Sequence, residues 1–180
     1  MTDFDAVDNV ELSFKVGANR FLTVKPFRNE LRVDLREWVA PSHPTKKGIT
    51  FTLARWKQFT YLIDEIDQAA TKLWADDPNL EVKKWHLGGN VFVTVNPEYS
   101  VVDIRHFWVP EDKTELTATR RGLSLRRYEW GMLKTSLEMV EEAAPDLETT
   151  MLCRDTHQNQ MGMLECPECS PSTYKEWVNK

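Results

Sequence analysis

Every cysteine of this 180-residue chain lies between residues 153 and 169. Cys153 and His157 are four apart, the spacing of one helical face, and Cys166-Pro167-Glu168-Cys169 is a thiol pair with two residues between. Together they read Cys-x3-His-x8-Cys-x2-Cys, a full tetrahedral set of soft ligands for zinc. The spacing is not that of a standard finger. Free thiols beside a surface histidine are the alternative reading. A redox pair at Cys166 and Cys169 has less behind it, because nothing thioredoxin-like surrounds it. The tail that carries these residues is poor in hydrophobic side chains, so a bound metal would supply folding energy it lacks. Three cysteines cannot form a closed disulfide set, which fits a reducing, intracellular compartment.

Other reactive constellations are missing. There is no glycine-rich phosphate loop, no serine-centred elbow and no paired-histidine motif. His43, His86 and His106 have no partner pattern and read as structural or surface residues. The sequence therefore predicts no enzyme.

Charge gives a second lead. The formal net charge is −5, which taken alone argues against nucleic acid, since phosphate binding rests on Lys and Arg. The distribution is uneven. Residues 11–55 carry nine Lys/Arg against four Asp/Glu, whereas residues 56–82 carry two against six. A basic and an acidic surface can thus occupy different faces. With 41% hydrophobic and 28% charged residues the chain should fold as a globule. No run of eighteen apolar residues predicts a membrane span. The polar, acidic Met1–Asn9 stretch lacks the apolar core of a secretion signal.

The elements that must position these residues come as a repeat. Phe14-Lys15-Val16-Gly17 aligns with Trp85-His86-Leu87-Gly88, and Phe21, Val24 and Pro26 fall over Phe92, Val95 and Pro97 without a gap. After a two-residue deletion, Val33-Asp34-Leu35-Arg36-Glu37-Trp38 meets Val102-Asp103-Ile104-Arg105-His106-Phe107. Lys46-Lys47-Gly48-Ile49 then meets Arg120-Arg121-Gly122-Leu123, and Trp56 meets Trp130. Alternating and β-branched stretches predict strands, with tight turns at Gly17 and Gly88 and short final strands entered through Gly48 and Gly122. Apolar residues three or four apart predict a helix over 53–75, with Trp56, Phe59, Ile63, Ile66, Ala70 and Leu73 on one face. Trp130, Leu133, Leu137, Val140 and Ala144 predict a second over 125–143. Thr52 and Ser124 are the expected N-caps, and Pro78 and Pro145 lie past the helix ends.

The expected organisation is an N-terminal tail (1–10), a first module (11–75), a linker (76–82), a second module (83–145) and a C-terminal tail (146–180). The class is α+β, with each module a curved antiparallel four-stranded sheet followed by an α-helix. One such module has a marginal core. Two in one chain can bury both helices against each other, so an intramolecular pseudo-dimer is expected, and a homodimer is not required.

The stretch from Gly17 to Asp67 resembles the single-stranded-DNA-binding domain of the transcriptional coactivator positive cofactor 4 family. The stretches that carry the resemblance are Phe21-Leu22-Thr23-Val24, Val33 to Trp38, Lys47-Gly48-Ile49 and the helix from Trp56 to Asp67. Leu87 to Val140 is a more diverged match. The resemblance implies a non-catalytic protein that binds single-stranded or melted DNA with little sequence preference, in contact with transcription machinery, in the nucleus or its viral equivalent. It also implies the site. The aromatic after the second strand falls on Phe27, with Tyr99 its counterpart. The aromatic after the Asp-x-Arg strand, here including Arg105, falls on Trp108. Copy one has Val39 in that column and Trp38 one position earlier. The basic residue before glycine falls on Lys47 and Arg121, next to Lys46 and Arg120. Basic strand positions fall on Lys15, Arg20, Lys25 and Arg28, while copy two has Asn96 where copy one has Lys25. Stacking on exposed bases and neutralisation of phosphates would be the whole chemistry. The competing function is a protein-interaction scaffold that kept the fold and lost DNA affinity.

Overall fold

The computed structural model describes residues 12–40 and 43–171; the 1–10 tail lies outside the described residues. Two four-stranded antiparallel sheets follow one another along the chain. The first holds β1 (Leu12–Gly17), β2 (Arg20–Phe27), β3 (Glu30–Ala40) and β4 (His43–Thr52), and runs into α1 (Leu53–Trp74). The second holds β5 (Lys83–Gly88), β6 (Val91–Val95), β7 (Val102–Trp108) and β8 (Thr117–Leu125). It is followed by α2 (Arg127–Thr135), α3 (Leu137–Ala143) and, in the tail, α4 (Gln160–Glu165). The strands within each sheet lie in chain order.

The two sheets repeat each other down to their irregularities. Phe21 pairs with Arg36 as Phe92 pairs with Arg105. Both first hairpins shift register just before their glycine, between Lys15 and Gly17 and between His86 and Gly88. Both third strands shift again, between Arg36 and Trp38 and between Arg105 and Phe107. In each copy the residue past that bulge donates its N–H to the first turn, Trp38 to Asn19 at 2.6 Å and Phe107 to Asn90 at 2.8 Å. A bulge re-aims the residues beyond it, so its repetition at one place is part of the module's design.

Gly48 and Gly122 lie inside β4 and β8, not at their entrances as the sequence suggested. A Cβ on Gly122 would stand 2.5 Å from the Ile104 carbonyl oxygen and 2.8 Å from Arg105 Cα, and one on Gly48 would stand 2.7 Å from the Leu35 carbonyl oxygen. Glycine is demanded by the close neighbouring strand, and the basic pairs before it are strand residues rather than loop residues.

Thr52 caps α1 as expected, its hydroxyl accepting from the Arg55 N–H at 3.1 Å. The second helix departs from expectation in two ways. Ser124 belongs to β8, where its hydroxyl bonds Asp103, and the cap position is Arg126, whose N–H donates to Glu129 at 3.0 Å. The predicted single helix over 125–143 is two segments. The Ser136 hydroxyl donates back to the Met132 carbonyl at 2.9 Å, and its N–H is shared between Met132 and Leu133. Such back-bonding bends a helix.

One core runs through both modules. The contacts across the seam are reciprocal: α1 packs on β5 and α2 on β1, while β4 meets β8. Such self-complementary exchange is the signature of a two-fold interface, here within a single chain. Trp130 of α2 closes it. Its ring meets Phe59 of α1 edge-on at 6.1 Å, and Phe59 in turn lies against Trp56 and Phe51. The Trp130 indole N–H donates to Asp67 of α1 at 2.9 Å, and Lys134 bonds the same carboxylate oxygen at 2.9 Å.

Burial pushes the Asp67 carboxyl upward, but the bonds from Trp130 and Lys134 outweigh it and hold it below the usual carboxylate range. Its contribution to stability is therefore fully present above the unfolded value of about 4 and is lost as pH falls through the lowered folded value. Asp67→Ala should cost about 1–3 kcal/mol, chiefly by orphaning the buried indole N–H, and should flatten the acid limb of the stability profile. Trp130→Ala should cost about 3–5 kcal/mol. Denaturant unfolding between pH 3 and 7 (a range of about that width) measures both.

Candidate nucleic-acid interface and metal centre

Strand alternation gives each sheet a dry face toward the helices and a wet face. In copy one a row of Lys15, Phe21, Arg36 and Gly48 crosses the wet face, beside rows of Ser13-Thr23-Asp34-Thr50 and Lys25-Arg32-Thr52. In copy two the matching rows are His86-Phe92-Arg105-Gly122 and Lys84-Thr94-Asp103-Ser124.

Each wet face is fixed by the same clamp. Asp34, fully buried, accepts from Arg36 at 3.1 Å and from the Thr50 hydroxyl at 2.7 Å, while Arg36 also donates to the Thr45 carbonyl at 2.7 Å. Asp103 accepts from Arg105 and from Ser124 at 2.8 Å, and Arg105 donates to the Thr119 carbonyl at 2.8 Å. Both clamp arginines are paired with a carboxylate, Arg36 with Asp34 and Arg105, one of the residues expected to meet DNA, with Asp103. Arg20 is similarly committed, to Glu129 at 3.3 Å and the Ser124 carbonyl.

Lys15, Arg28, Lys46, Lys47, Arg120 and Arg121 are exposed, and Lys25 is half-exposed beside Arg32. Only Lys47 of these makes an ion pair among the described residues, a loose one to Glu37 at 3.8 Å. The expected stacking aromatics are also open to solvent: Phe27 is 50% exposed, Trp108 49% and Tyr99 62%. Phe27 ends β2 at the hairpin tip, with the Arg28 guanidinium 5.2 Å and that of Arg32 5.9 Å from its ring centre. Trp38 is half-buried, and Val39, in the Trp108 column, is exposed.

Reading the sequence missed Lys84, Phe92 and Phe107. The Lys84 ammonium sits 4.3 Å from the Phe107 ring centre, and Phe92 meets Phe107 edge-on at 5.4 Å. Phe107 is only 6% exposed, so it supports the face and does not offer its own to a base. The alternation of β5 and β6 carried the signal for Lys84 and Phe92. The bulge that turns Phe107 onto the wet face left none.

The seam where β4 meets β8 carries two grooves. One, of about 710 Å³, is lined by Lys46, Arg120, Arg121, Arg36, Arg55 and His106 among others. The other, of about 820 Å³, has Lys46 and Arg120 in common with it and adds Arg20, Glu37, Lys47 and Arg105. The basic pairs of both modules thus converge near the internal two-fold.

The tail brings the four expected metal ligands together. A 3-10 turn at Cys153–Thr156 presents Cys153 and His157, and α4, capped by Asn159, returns the chain to Cys166 and Cys169. The ligand atoms all lie within 4.8 Å of one another. Cys153 Sγ is 3.7 Å from Cys166 Sγ and 3.7 Å from His157 Nε2, which is 3.3 Å from Cys169 Sγ. A tetrahedral zinc with its usual bond lengths has ligand–ligand edges of about 3.6–3.8 Å. The cluster is therefore positioned to bind a metal without a disulfide.

The three thiols perturb one another's ionisation, and Cys153 is raised, chiefly by burial. Burial raises the Cys166 thiol, but the backbone N–H groups of Cys169 and Glu168 and the neighbouring thiols reverse this and lower it overall. Cys169 is pushed up to about 12 by burial, then by Cys153 and Cys166. Three thiolates cannot share so small a space unless a cation joins them.

The same loop docks the tail on the modules. Glu168 takes a two-pronged bond from Arg55, at 2.6 and 2.7 Å, and its carbonyl accepts from the Gly89 N–H at 2.8 Å. Lys57 holds the approach to it, donating to the carbonyls of Leu147 and Thr150.

Residues 14–61 match the model of the family described as Transcriptional Coactivator p15 (PC4). These residues form a PC4 domain. The match runs from within β1 through β4 to the first turns of α1, including Lys15, Arg20, Lys25, Phe27, Arg28, Trp38, Lys46 and Lys47. The second module is a copy of this PC4 domain in sheet order and register alone. No solved structure matches the chain.

Metal-free protein should take up about one divalent ion per chain, with cobalt giving the intense absorption of tetrahedral thiolate ligation. Cys166→Ser should abolish that spectrum, and uptake should weaken steeply as acid protonates the thiols.

Proposed function

We propose that the chain is a non-catalytic, sequence-nonspecific single-stranded-DNA-binding protein with a transcription-coactivator or genome-maintenance role in the nucleus or a viral equivalent. The observation that carries the reading is the pairing of open aromatics with uncommitted cations on a PC4 module. Phe27 and Trp108 offer ring faces at the sheet margins, and Lys46, Arg120 and Arg121 gather at the seam. Bases that are already unpaired stack on aromatics at about 1–3 kcal/mol each, whereas duplex bases keep their faces covered. The cations supply salt-sensitive, sequence-independent attraction. The tail metal is zinc on this reading, chosen by three thiolates and one imidazole, and its role is structural, since four protein ligands leave no open position for substrate.

A scaffold role for the second module has one observation in its favour. Asn96 stands where copy one has Lys25, so that strand end offers no cation.

Fluorescence anisotropy with a labelled oligothymidylate tests the main reading. Single strands should bind well above duplex of equal length, with affinity falling steeply as salt rises. Phe27→Ala and Trp108→Ala should each weaken binding about five- to fiftyfold without lowering the unfolding midpoint. Equal affinity for duplex would contradict the stacking proposal.

A further inference from the structure

The two seam grooves occupy matching positions about the internal two-fold. Lys46 and Arg120 line both. Lys47 of one matches Arg121 of the other, each with its N–H on the hydroxyl of the threonine two residues earlier at 3.2 Å. Thr45 donates that hydroxyl to the Glu37 carbonyl and Thr119 to the His106 carbonyl, both at 2.7 Å.

The matching therefore sets Glu37 against His106, and here the halves differ in charge. Strand pairing confirms the column: Glu37 lies opposite Arg20, and His106 opposite Val91. Glu37 puts a carboxylate into its groove, 3.9 Å from Arg20 and 3.8 Å from Lys47. Arg20 is spent a second time on Glu129 and Arg105 on Asp103. Arg20, Lys47 and Arg105 of that groove are thus answered by acids, and the free cations left to it are the Lys46 and Arg120 it shares with the other groove.

Among the described residues no carboxylate lines the His106 groove. Arg36 and Arg55 are paired, to Asp34 and Glu168, but Lys46, Arg120 and Arg121 make no ion pair among the described residues. Burial, then Arg121 and Arg55, lowers the pKa of His106, so near neutral pH it adds no charge of either sign. An anion there meets three free cations and no opposing carboxylate. In the Glu37 groove it meets a like charge that has already drawn in Lys47.

We propose that the two grooves are inequivalent, and that the phosphodiester backbone of a single strand is held in the His106 groove, so that each chain takes one strand across its two-fold rather than two. This rests on the single-stranded-DNA reading above and adds to it the place and number of the strands. Two equal modules would bind two strands in equivalent ways. The exchange of Glu37 for His106 breaks that equivalence at the point where the cations of both modules meet.

The test compares substitutions at Arg121 and Lys47, both exposed, and at the half-buried Glu37, all outside the core. Labelled oligothymidylate of about twenty nucleotides, long enough to cross both modules, is titrated into the full metal-loaded chain over a range of salt. Stoichiometry is read at high concentration. Arg121→Ala should weaken binding about tenfold and reduce the salt slope by about 0.7, the share of one phosphate on a single strand. Its mate Lys47→Ala should cost less than about twofold. Glu37→Gln should leave binding equal or tighter, and saturation should come at one strand per chain. Equal losses from Arg121→Ala and Lys47→Ala, or two strands per chain, overturn the assignment while leaving single-strand binding intact. No binding by the unaltered chain overturns both.

Discussion

The fold depends on the seam between its two modules, where β4 meets β8 and each helix meets the other module's first strand. A module of one thin sheet and one helix has only a marginal core of its own. Here each helix lies across the seam on the first strand of the other module, and Trp130 joins the two helices through Phe59 and Asp67. Fusing the two modules in one chain removes the concentration dependence a dimer would have. It also removes the obligation to be symmetric. Once each half is encoded separately, Glu37 and His106, or Arg55 and its α2 counterpart Glu129, can diverge without breaking the interface.

That freedom shows at the ends of the helices. Glu129 faces Gly17 and receives Arg20 of the first module, whereas Arg55, in the matching place, faces Gly88 and receives Glu168 from the tail. The charge is reversed, and the partner comes from a segment the first module lacks. The loop that carries Cys166 and Cys169 thus completes a contact that the two-fold leaves open on one side. A tail with little core of its own gains a seat through the bonds of Glu168 to Arg55 and Gly89.

Much of this could be read in the residues. The alternation of Leu31 to Arg36, the helical stripe from Trp56 to Leu73 and the aligned Asp-x-Arg strands imply two like modules, and Cys153, His157, Cys166 and Cys169 lie together as their types and spacing suggest. The rest depended on tertiary placement. Arg20 and Arg105 look like free cations in a linear sequence, but each is tied to a carboxylate elsewhere in the fold. The glycines within β4 and β8 resemble strand entrances because nothing local reveals the neighbouring backbone that forces them. Ser136 gave no warning of the helix break, since its effect comes from a bond to Met132 that competes with the helical ladder. The grooves were illegible because they join residues more than 70 positions apart, such as Lys46 and Arg120.

On the proposed function, nucleic acid meets the wet faces and the seam, with the helices behind them as support. Photo-crosslinking locates the strand directly. An oligonucleotide carrying 5-iododeoxyuridine at successive positions, irradiated on the folded chain and mapped by mass spectrometry, should join to Phe27 and Trp108 and to peptides spanning residues 43–52 and 117–125. Crosslinks gathered instead on the outer surfaces of α1 and α2, at Tyr61 or Tyr128, with none on the strands, would contradict the account.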